Sequence, residues 1–250
     1  MSSRRLAFCS AAAGALWIAW PSLLPSHPPC RAWSCHTPRI TRPQARWPSP
    51  RDDLSTDALK RWHALHELHV GQARARGSDL VFLGDSITEG WLRTGFSSLR
   101  ESLPQPECEA VWQRAFKQWQ PLNFGIGGDR AQDLGWRIQH GLLPASLDPR
   151  VIVLLIGTND IGKGEDPQVA LTETCIVAQQ LHSIKPRAQL LLVGLLPRGG
   201  GEIPGKLFTR KPAWDSSNKY FTSIHMINQG LAAFAQVHSR PITAEVPHCC

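Results

Sequence analysis

The sequence predicts an α/β domain, a three-layer α/β/α sandwich around a parallel, flavodoxin-like sheet. Three observations carry this. Short apolar runs at 79–83, 151–156 and 189–196 read as strands, and the run 151–156 is so uniformly β-branched or leucine that it must be buried on both faces. Stretches with apolar residues three and four apart separate those runs. Each strand run breaks in turn chemistry: Gly84-Asp85-Ser86, Gly157-Thr158-Asn159-Asp160 and Pro197-Arg198-Gly199. Strands alternating with helices imply βαβ units with right-handed crossovers. A five-strand order 2-1-3-4-5 would set strands one and three side by side at the switch point, where open α/β sheets bind ligands.

The 250 residues suit one domain plus extensions. A net charge of +7 would suggest nucleic acid, but its placement argues otherwise. Residues 1–51 hold seven arginines (4, 5, 31, 39, 42, 46 and 51) and no Asp, Glu or Lys, which leaves 20 basic and 20 acidic residues in the rest. The body shows no basic patch interleaved with aromatics, so no nucleic-acid partner is expected. Arg4-Arg5 precede an apolar stretch over 6–24 that Gly14 and Pro21 interrupt. This reads as a targeting segment, either a secretory signal or an Arg-rich organellar transit peptide, with a cytoplasmic location as the alternative. The run before Pro21 is about 15 residues, short of the ~20 that span a bilayer, so no stable membrane span is expected. Residues 25–50 read as a Pro/Arg-rich linker, and the domain proper as 52–250. Of the seven cysteines only Cys108 and Cys175 lie in the body. They show neither zinc spacing nor a disulfide framework, and Cys249-Cys250 is not a prenylation ending, so no metal is expected.

Along the body, 54–76 has helical spacing and carries His63, His66 and His69. Histidines every three residues on an amphipathic helix are expected to face solvent rather than bind metal. The strand at 79–83 then delivers Ser86 to a strand-to-helix turn. A plain helix cap is the competing reading, since Asp and Ser both cap well. Helices are expected at 96–103 and 111–119, with Pro104-Gln105-Pro106 as a turn between them. A second strand at 121–124 runs into Gly125, Gly127 and Gly128. Neither G-x-G-x-x-G nor a Walker ending is present, so these glycines read as a close backbone approach with a free N–H rather than a phosphate loop. A helix over 131–142 follows, with Leu134, Ile138 and Leu142 on one face. Strand three then ends at Asn159, which is either turn chemistry or an amide donor beside Ser86. Helices at 169–184 and 221–237, a polar loop at 202–215 and a last strand at 241–246 complete the chain. Trp91, Trp136 and Trp214 are packing residues or pocket walls.

Three blocks, each at a strand end, carry a resemblance: Gly84-Asp85-Ser86, Asn123 to Asp129 with its glycines, and Gly157-Thr158-Asn159-Asp160. Together they resemble the SGNH (GDSL-like) hydrolase superfamily, and most of all the family of platelet-activating-factor acetylhydrolase Ib catalytic subunits. The segment 194–199, Gly-Leu-Leu-Pro-Arg-Gly, is similar to that family's fourth-strand ending. The resemblance spans roughly residues 52–237. It implies Ser86 as nucleophile, with the Ser86 and Gly128 N–H groups and the Asn159 amide as the oxyanion hole, and no metal or organic cofactor. Preorganised donors of this kind stabilise the charge that an ester carbonyl acquires on attack. The implied base is the histidine of an Asp-x-x-His pair beyond the fifth strand, but no Asp-x-x-His occurs in 202–250. Glu245-Val-Pro-His248 mimics its spacing. His225 and His238 lie on the final helix and read as surface residues. On this comparison the fold is C-terminally truncated. One sheet face would then be under-covered, which invites self-association, a homodimer in its simplest form.

A nucleotide-binding flavodoxin-like module is a third reading, disfavoured by the missing phosphate-loop motifs, and two functions stand ahead of it. One is a serine esterase or acetylhydrolase acting on lipid or small acetyl esters through an acyl-enzyme on Ser86. The other is a catalytically impaired relative that keeps a pocket for a ligand or partner.

Overall fold

The computed structural model describes residues 48–92, 106–202, 210–211, 218–237 and 242–245. The apolar stretch 6–24, the helix expected at 96–103, Trp214, His238, His248 and the terminal cysteines lie outside the described residues. Among the described residues, no helix is long and apolar enough to cross a membrane.

A 20-residue helix, α1 (Thr56–Ala75), opens the fold under a Ser55 cap. Strand β1 (Leu80–Gly84) follows, then the short helix α2 (Ser86–Glu89). Helix α3 (Pro106–Phe116) begins five residues before the expected 111. Proline fits a first helical turn, where the N–H it lacks would have no intrahelical partner, so Pro106 opens the helix rather than closing a turn. Strand β2 (Leu122–Asn123) leads to α4 (Ala131–Arg137), and β3 (Val151–Leu155) to α5 (Thr158–Gly162). Helix α6 (Pro167–Ile184) again has proline in its first turn, with the Asp166 carboxylate accepting from the Gln168 N–H at 2.8 Å. Strand β4 (Gln189–Val193) precedes a small antiparallel hairpin, β5 (Gly200–Glu202) with β6 (Arg210–Lys211), inside the stretch expected to be loop. Helix α7 (Phe221–Val237) and β7 (Ile242–Glu245) end the fold.

The five main strands pair in the order β2-β1-β3-β4-β7, all parallel, which is the expected 2-1-3-4-5 arrangement. Register decides where the site falls. Leu80 pairs with Val151 and Gly84 with Leu155, so β1 and β3 finish level and residues 85–86 emerge beside 156–159. Strand β2 is only two residues long, yet its chain stays against β1. Phe124 N–H donates to Phe82 O at 2.9 Å and Ile126 N–H to Gly84 O at 3.2 Å.

Alternation along the strands sorts the core onto two faces. Val81, Leu83, Ile152, Leu154, Leu190 and Leu192 are buried in one large cluster with apolar residues of α4, α6 and α7. Leu80 and Phe82 lie on the other face, against Trp112 and Phe116 of α3 with Trp91 packed alongside. The second face is the thinner one: Val151, Val153 and Leu191 are only half-buried, while Ile152, Leu154, Leu190 and Leu192 beside them are buried.

Two local expectations are corrected. The helix at 131–142 keeps Leu134, Ile138 and Leu142 buried as expected, but its α portion stops at Arg137. A wider turn over Ile138–Leu142 follows, broken where Gly141 takes φ +90°. His66 and His69 do not face solvent: both are buried, and His63 is half-buried. The helix face that carries them also carries Trp62, and it packs on a buried set of charged groups rather than on water.

Candidate functional site

Gly84 ends β1 where a Cβ would collide with the Leu155 carbonyl of the neighbouring strand. Asp85 caps α2, its carboxylate accepting from the Ile87 N–H at 2.9 Å, and Ser86 is the first helical residue. The cap is therefore Asp85, which leaves the Ser86 hydroxyl outside the capping role.

The loop after β2 is built onto this helix. Asn123 Nδ2 donates to Thr88 O at 2.7 Å, while its Oδ1 accepts from the Gly125 N–H at 3.0 Å. Glu89 at the far end of α2 accepts from the Gly127 N–H at 2.6 Å. The chain then turns over residues 126–129, with Asp129 N–H donating to Ile126 O at 3.1 Å and Gly128 at φ +84°. A four-residue turn with positive φ only at its third residue is type II, which asks for glycine there. Asn159, the second residue of α5, donates from Nδ2 to Asp129 O at 2.9 Å. Hydrogen bonds thus join the three blocks in series. Arg198, after β4, adds a fourth link by donating to Thr158 O at 3.1 Å while lying over the Tyr220 ring.

Burial separates the nominated residues from their neighbours. Asp85, Gly127, Asp129, Thr158 and Asp160 are buried, yet Ser86, Gly128 and Asn159 are each half-buried. After β2 and β3 the nominated residue alone is half-buried within a buried run, and after β1 Ser86 shares that position with Ile87. Glu245 ends β7 at the same edge of the sheet, with β3 and β4 between it and β1. Among the described residues no histidine is hydrogen-bonded to Ser86: His66 faces His140 O, His69 faces Arg137, and His225 faces Gln229. No group of three or more His, Cys, Asp or Glu able to hold a metal occurs among the described residues.

Under the surface lies a charged layer that hydropathy patterns do not reveal. Asp129 accepts from Trp62 Nε1 at 2.7 Å and from Arg137 Nη1 at 2.8 Å. Arg137, fully buried, also donates to Phe124 O and to His69 Nδ1, each at 2.8 Å. Burial pushes the Asp129 carboxyl up to about 6, with Arg137 pulling the other way. Burial also holds His69 well below the usual histidine range and takes His66 down to about 4, with the Arg137 charge adding to both. His69 is therefore neutral, as an acceptor toward Arg137 must be. Asp85 rises to about 7 through burial, with the Asp129 charge adding to it. Arg51 also belongs to this layer. Counted with the leader arginines in the sequence, it is buried, pairs with Asp53 at 2.6 Å and donates to Gly127 O at 3.1 Å.

Asp160, beside Asn159, accepts from the Ala131 N–H at 3.2 Å and is raised to about 7 by burial, then by the nearby Glu173 charge. A carboxyl whose pKa rises on folding binds its proton more tightly in the fold. Its contribution to stability is greatest below the unfolded value near 4 and is lost as pH rises through about 7. Asp160→Asn removes that dependence. Wild type is expected to gain on the variant in urea unfolding at pH 5 relative to pH 8. An equal difference at both pH values would show that Asp160 does not titrate in this window.

With that geometry in place, comparison with known proteins decides the family. The model of the GDSL-like lipase/acylhydrolase family matches residues 82–241, more than half of the chain. The chain belongs to that family. It is 33% identical over 152 residues to platelet-activating factor acetylhydrolase IB subunit alpha1 from Bos taurus, covering 61% of this chain and 57% of that protein. It is 32% identical over 162 residues to the platelet-activating factor acetylhydrolase IB subunit beta homolog of Drosophila melanogaster, covering 64% of this chain and 61% of that one. The chain thus spans less than two thirds of the length of these relatives. A solved structure from Streptococcus pneumonia, described in platelet-activating-factor terms, superposes with a TM-score of 0.53 at 20% identity, covering 76% of this chain and 78% of that one. It supports the fold. The superfamily and the three-layer α/β architecture read from the strand-end blocks are those of this GDSL-like family.

Proposed function

We propose that the chain is a serine esterase acting on carboxylic esters, with acetyl esters of lipids or small molecules as the substrate class. The observation that carries this reading is the half-buried trio Ser86, Gly128 and Asn159, standing on buried, mutually hydrogen-bonded strand ends. The kinship with acetylhydrolases supports the choice of acyl group. Ser86 Oγ adds to the ester carbonyl as its proton passes to a base. The carbonyl oxygen becomes an oxyanion facing the Ser86 and Gly128 N–H groups and the Asn159 amide. Collapse expels the alcohol, which takes up the proton, and leaves acyl-Ser86; water then repeats the sequence and releases the acid. An amide has two N–H donors. The bond from Asn159 to Asp129 O uses one and orients the other for the substrate.

Asn159→Ala is expected to lower kcat by ~10²–10³, the usual cost of one oxyanion donor. A fall of less than about tenfold in p-nitrophenyl acetate hydrolysis would remove Asn159 from the hole. The reading as a whole is tested by acid quench during p-nitrophenyl acetate turnover. Peptide mass spectrometry is expected to find acetyl on Ser86, and turnover without it would sink the acyl-enzyme.

The second reading is a family member that binds an ester or a partner without turning it over. The observation in its favour is that no described histidine bonds Ser86. Saturable ester binding with neither turnover nor acetyl-Ser86 would select it.

A further inference from the structure

We infer that Arg51, which precedes the family-matched segment, is a positioning residue that fixes the direction of the Gly128 N–H. The inference rests on the reading of that N–H as an oxyanion donor.

The Gly127 carbonyl and the Gly128 N–H belong to one peptide unit. That unit is planar and trans, so its C=O and N–H bonds point in opposite directions. Whatever holds the carbonyl therefore aims the N–H. Arg51 Nη1 donates to Gly127 O at 3.1 Å. The 126–129 turn does not choose this orientation by itself. A type I turn with the same ends has its central peptide turned over, and glycine at both central positions leaves either form open. Glu89 holds the Gly127 N–H, which lies in the preceding peptide and does not prevent a flip of the next one. Turning the 127–128 peptide over would remove its oxygen from the Arg51 guanidinium and swing the N–H away from its present direction.

Arg51 is itself held rigidly. Its side chain is 5% exposed, and its guanidinium meets Asp53 in a fork at 2.6 and 2.9 Å, with Asp129 at 3.7 Å and Asp133 at 3.8 Å. Two of its nitrogens lie 2.8 and 3.0 Å from where a Cβ on Gly128 would stand, so it packs directly on that residue. The same three residues of chain brace the rest of the edge. Asp52 pairs with Arg130 at 2.5 Å, and Asp53 also pairs with Lys163, whose own N–H bonds Asn159 O at 3.0 Å. Residues 51–53 thus form a strap across the loops that carry Gly128 and Asn159. A cationic donor on the carbonyl also polarises the peptide, which strengthens its N–H as a donor.

The test uses the full chain with Arg51→Met and Arg51→Lys, p-nitrophenyl acetate kinetics, and the Gly128 amide resonance in an ¹⁵N–¹H spectrum. Arg51→Met misdirects a donor without deleting it, so kcat is expected to fall about 10- to 100-fold with KM moving less than about threefold. The Gly128 resonance is expected to shift. Arg51→Lys, which keeps one charged donor, should fall between, and added guanidinium ion should raise the Arg51→Met rate while leaving wild type unchanged. An unchanged kcat with an unmoved Gly128 resonance would overturn the inference. So would a fall in kcat that accompanies a lowered Tm, an unmoved resonance and no guanidinium rescue. If wild type shows no Ser86-dependent turnover, the esterase reading has failed. The resonance then decides alone: a shift in Arg51→Met upholds the positioning role, and an unmoved peak overturns it.

Discussion

Ser86→Ala is expected to remove the bulk of p-nitrophenyl acetate hydrolysis by the chain, leaving only the serine-independent remainder that an oxyanion hole supplies. The structure makes this a clean experiment. Ser86 is half-buried and is the first residue of α2, while the cap of that helix is the Asp85 carboxylate. Alanine keeps the backbone N–H of residue 86 and costs the helix little, so the expected change in stability is within about 0.5 kcal/mol. A loss of turnover therefore reports the hydroxyl and not the fold. A serine at its ordinary pKa needs a base, and within this sequence the candidate is His248, three residues beyond the end of β7. Strand β7 is three pairings from β1, about 14 Å at the usual strand spacing. Three residues of any chain reach at most about 10 Å before a side chain is added. If Ser86→Ala removes that turnover, His248→Ala tests that supply. Equal rates for wild type and Ser86→Ala would sink the esterase reading, because residual oxyanion-hole catalysis alone does not depend on the serine.

The sequence made the sheet legible because its strands are unbroken apolar runs, although β3 and β4 are fully buried on one face only and half-buried on the other. A run such as Val-Ile-Val-Leu-Leu-Ile has few other homes, and its end at Gly157 marked the site edge. The strand-end placement of the candidates Ser86, Gly128 and Asn159 was legible for the same reason, since each follows the break of an apolar run. The charged layer beneath them was not. Hydrophobic periodicity treats histidine and arginine as solvent-facing, so His66, His69 and Arg137 gave no sign of burial. Their partners come from α1, the β2 loop and α4, and only tertiary structure brings those together. Arg51 was harder still, since its neighbours in sequence are the arginines of a Pro-rich stretch. A clue was available in Arg51-Asp52-Asp53, where the first acids of the chain directly follow an arginine. The hairpin in the 200–211 stretch left no signal because its strands are three and two residues long.

Arg137→Met is expected to destabilise the fold by about 3–5 kcal/mol, the range found when one partner of a buried ion pair is removed. Methionine fills much of the space but replaces none of three bonds. Arg137 holds Phe124 O at the start of the glycine loop, Asp129 at its end and His69 on α1. Without it the fully buried Asp129 keeps the Trp62 N–H at 2.7 Å and the longer approach of Arg51 at 3.7 Å. The cost is that of a carboxylate left in a low dielectric, not the worth of three hydrogen bonds in water. For a domain of this size it corresponds to a fall in Tm of roughly 6–20 °C. That distinction can be checked, because the double variant Arg137→Met/Asp129→Asn removes the stranded charge and keeps an acceptor for Trp62. It is expected to be more stable than Arg137→Met alone, although it differs from wild type by one more residue. A double variant less stable than the single one would mean that the loop depends on Asp129 in its own right, and that Arg137 serves the fold mainly through Phe124 and His69. Thermal unfolding of the four proteins of this cycle, at a pH above the Asp129 value of about 6, separates the two outcomes.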